Sequence, residues 1–132
     1  GLGWHRMAEP LLMPSSWADY QKFRAAFHAV LDPALYTSAW LDGEVATGRF
    51  ILFTGDESAI LCTVKQYPTG LKELQGELAV GKLREIASDL IPIAEKWALM
   101  CGCKSASIQS REGWGRVLKD YQLYQTTIRK AL

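Results

Sequence analysis

The sequence predicts an α/β domain in which helices pack on the faces of a mixed sheet, in the order ααβββαβαβ. Three observations carry that prediction. Trp17, Tyr20, Phe23, Phe27 and Leu31 recur at three- and four-residue steps, an apolar stripe of helical period. Residues 49–80 then change to short β-rich runs broken by Gly, Pro and Asp. A second helical stripe follows through Leu83, Ile86, Ala87, Leu90, Ile93, Ala94 and Trp97, and strands joined through helices call for a mixed sheet.

Each element has a local reason. Gly1–Arg6 (GLGWHR) reads as a tag or upstream remnant, and residues 7–132 as a single domain. Ser15 or Ser16 caps the first helix, because a hydroxyl there satisfies an orphan N–H, and Asp32-Pro33 stops it. A shorter helix is expected over Ala34–Leu41, with Asp42-Gly43 as a turn. Arg49–Thr54 and Ser58–Val64 form a hairpin around Gly55-Asp56-Glu57. Tyr67-Pro68-Thr69-Gly70 turns the chain into a third strand, Leu71–Val80, whose imperfect alternation points to a bulge at Gly76. Pro92 falls inside the second long helix and predicts a kink, and Gly102 ends that helix as a left-handed cap. Ser105–Gln109 is a strand, Arg111–Lys119 a short helix with Trp114, Val117 and Leu118 inward, and Tyr124–Arg129 the last strand.

Composition narrows the function classes. With 132 residues, 48% hydrophobic and 22% charged, the chain is neither disordered nor large enough for several domains. A net charge of +1 gives no whole-chain argument for nucleic acid or an anionic membrane, and no apolar run reaches the roughly 20 residues of a bilayer span. Cys62, Cys101 and Cys103 are an odd set with a C-x-C spacing, and His5 and His28 lack ligand-spaced companions. Free thiols, no metal and a reducing cytoplasm are expected.

Among candidate chemical groups, no glycine-rich nucleotide motif and no nucleophile elbow occurs. His28 reads as a helix residue and Cys62 as a strand residue among apolar neighbours, with no local cation to activate its thiol. Glu73 with Glu77, and Glu85 with Asp89, are carboxylates four apart, solvated unless their environments split their pKa values. Ala79-Val80-Gly81-Lys82 joins a strand to a long helix, where helix N–H groups and a lysine can meet an anion, although simple turn chemistry explains it too. Arg111, Trp114 and Arg116 flank glycines, a bulky anchor between two forked cations suited to a partner or an anion. From Lys104 to Leu132 six basic residues face two acidic ones, a balance of +4 that leaves nucleic-acid contact open. Oligomeric state is unwritten, and a homodimer rests only on how common homodimers are.

The element order resembles the GNAT-type N-acetyltransferase fold, a mixed and mostly antiparallel sheet flanked by helices, preceded here by two helices. The helix ending Trp97-Ala98-Leu99-Met100-Cys101-Gly102-Cys103 is similar to that family's. Ser110–Leu118 (SREGWGRVL), then Tyr121, then Ile128–Leu132, resembles small GNAT-like proteins encoded by tailed phages and prophages; Tyr67-Pro68 and Ala79-Val80-Gly81 do so as well. The resemblance spans about Gly48 to Leu132. It implies acetyl-CoA held at Ala79, Val80, Gly81 and Lys82, with Glu77 taking a proton from an amine and Tyr121 or Tyr124 protonating the leaving thiolate. The family's pyrophosphate loop, Arg/Gln-x-x-Gly-x-Gly/Ala, is matched here by a stretch with the single glycine Gly81. The first expectation is therefore a phage-type accessory or virion-associated protein, in the host interior or the virion, meeting a protein partner through Arg111, Trp114 and Arg116. A divergent acetyl-CoA-dependent N-acetyltransferase is the alternative, and a nucleic-acid binder a weaker one.

Overall fold

A computed structural model describes residues 14–109, 118, 121 and 128–132. Helix α1 spans Trp17–Val30, opened by a capping box in which the Ser16 hydroxyl accepts from Asp19 N–H and Asp19 accepts from Ser16 N–H. Tyr20 and Phe27 bury their rings completely, while Trp17 lies at the edge of the stripe, 5.0 Å from Tyr20.

Helix α2 runs over Ser38–Ala46, not Ala34–Leu41, and Asp42-Gly43 lies inside it rather than in a turn. Tertiary contacts override the turn preference. The Asp42 carboxylate accepts from Tyr20 Oη at 2.8 Å, sits 2.8 Å from His28 Nε2, and takes a two-pronged contact from Arg24, all on α1. Arg24 holds Asp42 well below the usual carboxylate range. Thr37 caps α2 by accepting from Trp40 N–H at 3.1 Å.

Among the described residues four strands follow: β1 (Ile51–Thr54), β2 (Ala59–Gln66), β3 (Lys72–Val80) and β4 (Ser105–Ile108), in the spatial order β1-β2-β3-β4. The first two pairings are antiparallel and β3 pairs with β4 in parallel. Between β3 and β4 the chain rises through α3 (Leu83–Glu85), a π-helical stretch (Ile86–Leu90) and α4 (Ile91–Met100), without a break. The π stretch ends at Leu90, two residues before Pro92. A proline has no N–H and its ring presses on the carbonyl four residues back, and widening the preceding turn relieves both. Gly102, at φ +89°, ends the helix as expected.

Two cores result, one on each face of the sheet. Phe53, Ile60, Cys62 and Leu74 pack under Ile86, Leu90, Ile91 and Ala94. On the other face Leu52, Leu61 and Val80 pack against Tyr20 and Phe27 of α1 and Leu41 of α2. The expected helix over Arg111–Lys119 lies outside the described residues, apart from Leu118, which is buried in the first core. Of the expected last strand only Ile128 and Arg129 are described, and neither is in regular secondary structure.

Candidate functional site

The site begins with one surplus residue. Cys62 stands opposite Gly76 and Leu61 opposite Leu78, so Glu77 has no partner on β2 and forms a bulge one residue beyond the expected position. The same place ends the parallel pairing. β3 and β4 are in register from Glu73 with Ser105 to Gly76 with Ile108, and β3 then runs on to Val80 without β4.

The strands therefore part, and a cavity of about 370 Å³ opens between them. Its walls come from both faces of the sheet. Val30 and Leu78 belong to the α1 side, and Ile86, Ile91 and Ala94 to the α4 side, so the cavity runs through the sheet. Gly76 and Ala106 keep it wide between the strands. A Cβ on Gly76 would sit 3.3 Å from Ile108 Cγ1, already tight.

The polar side chains on this passage are Glu77, Ser107, Gln109 and Tyr121, with the Cys62 thiol. Glu77 lines it and accepts a hydrogen bond from Thr63 Oγ1 at 2.8 Å. Tyr121 lines it too, and its hydroxyl donates to Glu95 Oε2 at 2.7 Å. The structure thus brings two of the sequence-predicted groups, Glu77 and Tyr121, to one cavity. Cys62 also faces it, but burial pushes its thiol up to about 12, aided by the Glu77 charge, so it remains a neutral thiol. Beside the passage Glu73 ties the parallel pair together. It accepts from Gln75 Nε2, Ser105 Oγ and Ser107 Oγ at 3.0 Å and from Tyr67 Oη at 3.1 Å. Gln75 first, then the three hydroxyls, hold its carboxyl below the usual range against the opposing effect of burial.

The turn after β3 is built differently. Ala79 lines the passage, but Val80 is buried in the α1-side core. Gly81 takes φ +107°, and a Cβ there would fall 2.4 Å from the Glu57 carbonyl and 2.5 Å from Ser58 Oγ. Lys82 N–H donates to the buried Ser58 Oγ at 2.7 Å, and its ammonium lies 3.0 Å from Glu57 Oε2. Glu85 reaches back to the β1–β2 turn, accepting from Asp56 N–H at 2.9 Å and Glu57 N–H at 3.1 Å. The Ser58 hydroxyl, then those N–H groups and the Lys82 charge, keep the Glu85 carboxyl ionised to lower pH than usual.

Tyr124, Arg111, Trp114 and Arg116 lie outside the described residues. Sequence reading missed Thr63, Glu95 and Glu85 as partners in this region. Thr63 is two residues before Lys65 in an ordinary strand and carries no motif. Its only signal is that it stands on β2 opposite Gln75, two residues before Glu77. Among the described residues no cluster of His, Cys, Asp and Glu could hold a metal ion, and no helix is long and apolar enough to cross a membrane.

No family model matches the sequence, and no curated protein does. Solved structures do. An aminoglycoside 6′-N-acetyltransferase from Acinetobacter haemolyticus superposes with a TM-score of 0.63 at 15% identity, over 90% of this chain and 95% of that one. An acetyltransferase from Trypanosoma brucei gives 0.62 at 9% identity, over 91% and 97%. A ribosomal-protein-alanine N-acetyltransferase from Brucella melitensis gives 0.59 at 13% identity, over 88% and 96%. The chain has the GNAT-type fold, a mixed and mostly antiparallel α/β architecture.

Proposed function

We propose that the chain is a divergent N-acyltransferase that moves an acyl group from a coenzyme A-type thioester to a primary amine. One observation carries this reading: a mostly apolar passage opens between the strands at a bulge, with a carboxylate on its wall. A long flexible arm ending in a thioester suits that passage, because it needs apolar walls along its length and one polar group at its reactive end. Similarity to acetyltransferases supports this reading over the virion-associated one. The protein-partner reading rests on Arg111, Trp114 and Arg116, which lie outside the described residues, as does much of the Lys104–Leu132 segment behind the nucleic-acid reading.

The residue roles follow from placement. A bound thioester supplies the acyl group. Ile86, Ile91 and Ala94 exclude water along the passage. Glu77 accepts the proton that the acceptor amine must lose before it can attack, and Thr63 fixes the carboxylate's orientation. The single Tyr121 hydroxyl proton rests on Glu95 in the free chain; released from that bond, it passes to the departing thiolate and solvent restores it to the phenolate.

Titration of the protein with acetyl-CoA and CoA tests the reading. A ligand at 100 times its dissociation constant adds about 2.7 kcal/mol of stability, which raises Tm by several degrees in a domain of this size. Glu77→Gln should keep that shift and lower the transfer rate by about 100-fold. A thioester that never moves Tm would overturn the proposal. So would a Glu77→Gln variant that transfers at full rate.

A further inference from the structure

A thioester arm whose carbonyl lies at Glu77 does not reach the end of the passage. The bulge sets Glu77 and Leu78 side by side on the α1 face of the sheet. Along β2, Leu61 packs in the α1-side core and Cys62 in the α4-side core, so Thr63, which bonds Glu77, turns towards α1. Leu78 packs on that side too. The mouth of the passage on this face is divided. Ala106 and Ile108 pack towards α4, which leaves Ser107 on the α1 face of β4, and with Gln109 it makes a polar rim. The other rim is apolar, made by Leu78 and by Val30 at the last position of α1. Val30 is 48% exposed and packs in neither core. Its apolar surface does little for the fold and is open to a ligand that follows the passage past Glu77.

We propose that the acyl group this chain transfers is longer than acetyl, a short aliphatic chain of about four carbons whose tail lies between Val30 and Leu78. This rests on the acyltransferase reading and adds Val30 and Leu78 to it as specificity residues. The step itself is unchanged. The thioester C–S bond breaks, an amide C–N bond forms, the amine proton goes to Glu77 and the thiolate takes the proton of Tyr121. Each methylene beyond the reacting carbonyl takes apolar surface of the tail and of the two side chains out of water, worth about a fourfold gain in affinity. The gain stops at the half-exposed Val30, where the rim meets solvent. The polar rim of Ser107 and Gln109 is the side that suits the incoming amine.

Calorimetric titration of the full chain with acetyl-CoA, propionyl-CoA, butyryl-CoA and octanoyl-CoA tests this. Affinity should rise about fourfold per methylene, so that butyryl-CoA binds about tenfold tighter than acetyl-CoA, and octanoyl-CoA should stay within about threefold of butyryl-CoA. Val30→Ser, at an exposed helix end, should cut the butyryl-to-acetyl ratio to about fourfold or less, and Leu78→Ala should do the same from the other wall. Butyryl-CoA binding no tighter than acetyl-CoA would overturn the inference and leave the acyltransferase reading standing. A preference for butyryl-CoA undiminished in both variants would overturn the place given to the tail. A rise that continued at the same step to octanoyl-CoA would overturn the short chain. Binding of none of the thioesters would overturn the inference and the acyltransferase reading together.

Discussion

The two halves of β3 share one strand and differ in almost everything else. From Glu73 to Gly76 the strand is paired on both sides, with β2 and with β4. Glu77 is unpaired, and from Leu78 to Val80 the strand is paired with β2 only. The first half is locked by the Glu73 hydrogen bonds and by Leu74 in the core; the second borders a cavity. The open half stays ordered because its far end is fixed at the turn, where Gly81 packs on the β1–β2 turn and Ser58 holds Lys82. An opening in a sheet exposes unpaired backbone, so it needs a rigid stop on each side.

The largest way to break this contrast is at the stop. Gly81→Ala puts a Cβ 2.4 Å from a backbone carbonyl at φ +107°. It should cost about 3 kcal/mol or more, measured by urea unfolding. A neutral result would mean the turn is soft and the opening needs no anchor. Next comes a paired comparison across the bulge. Leu74→Ala, at 4% exposure, should lose about 3 kcal/mol, and the half-buried Leu78→Ala about half of that. Equal losses would erase the difference between the halves.

Glu73→Gln is a smaller test of the lock. It should cost about 1 kcal/mol at neutral pH, a modest figure because the carboxylate is partly exposed. The sign with pH is fixed by the lowered native pKa. The stabilisation is present above the unfolded value of about 4.3 and is lost as pH falls through the native value. Wild-type stability should therefore drop between about pH 5 and pH 3, and the variant's curve should be flatter there. The smallest expected effect is at the passage. Thr63→Val removes the hydrogen bond that orients Glu77, and should slow transfer by about three- to fivefold while Tm and donor affinity stay within error.

Much of the scaffold was legible in the sequence because it depends on local pattern. The α1 stripe, the Ser16 cap, the hairpin around Asp56 and the Gly102 cap follow from periodicity and turn chemistry. The bulge was readable to within one residue from the broken alternation at Gly76. What escaped depends on partners distant in sequence. Asp42-Gly43 carries a turn signal, yet three α1 side chains hold Asp42 inside a helix. The π stretch ahead of Pro92 was read only as a kink, because a proline announces its own defect but not which turn absorbs it. At the site, Glu77 was legible as a carboxylate in a strand. The occupant of the turn was not: Glu85 looked like half of a solvated pair with Asp89, and its grip on Asp56 and Glu57 spans nearly thirty residues of chain.

The bulge at Glu77 has one more consequence. Before it, the even-numbered Leu74 faces α4; after it, the odd-numbered Ala79 does, while Leu78 and Val80 turn to α1. The surplus residue flips the count but not the packing. Deleting it would leave Gly76 opposite Cys62 and Leu78 opposite Leu61, with every core side chain on the face it already uses. The sheet is thus a single-codon deletion away from a plain, unbroken register. Glu77 is a surplus residue that neither of the two cores requires.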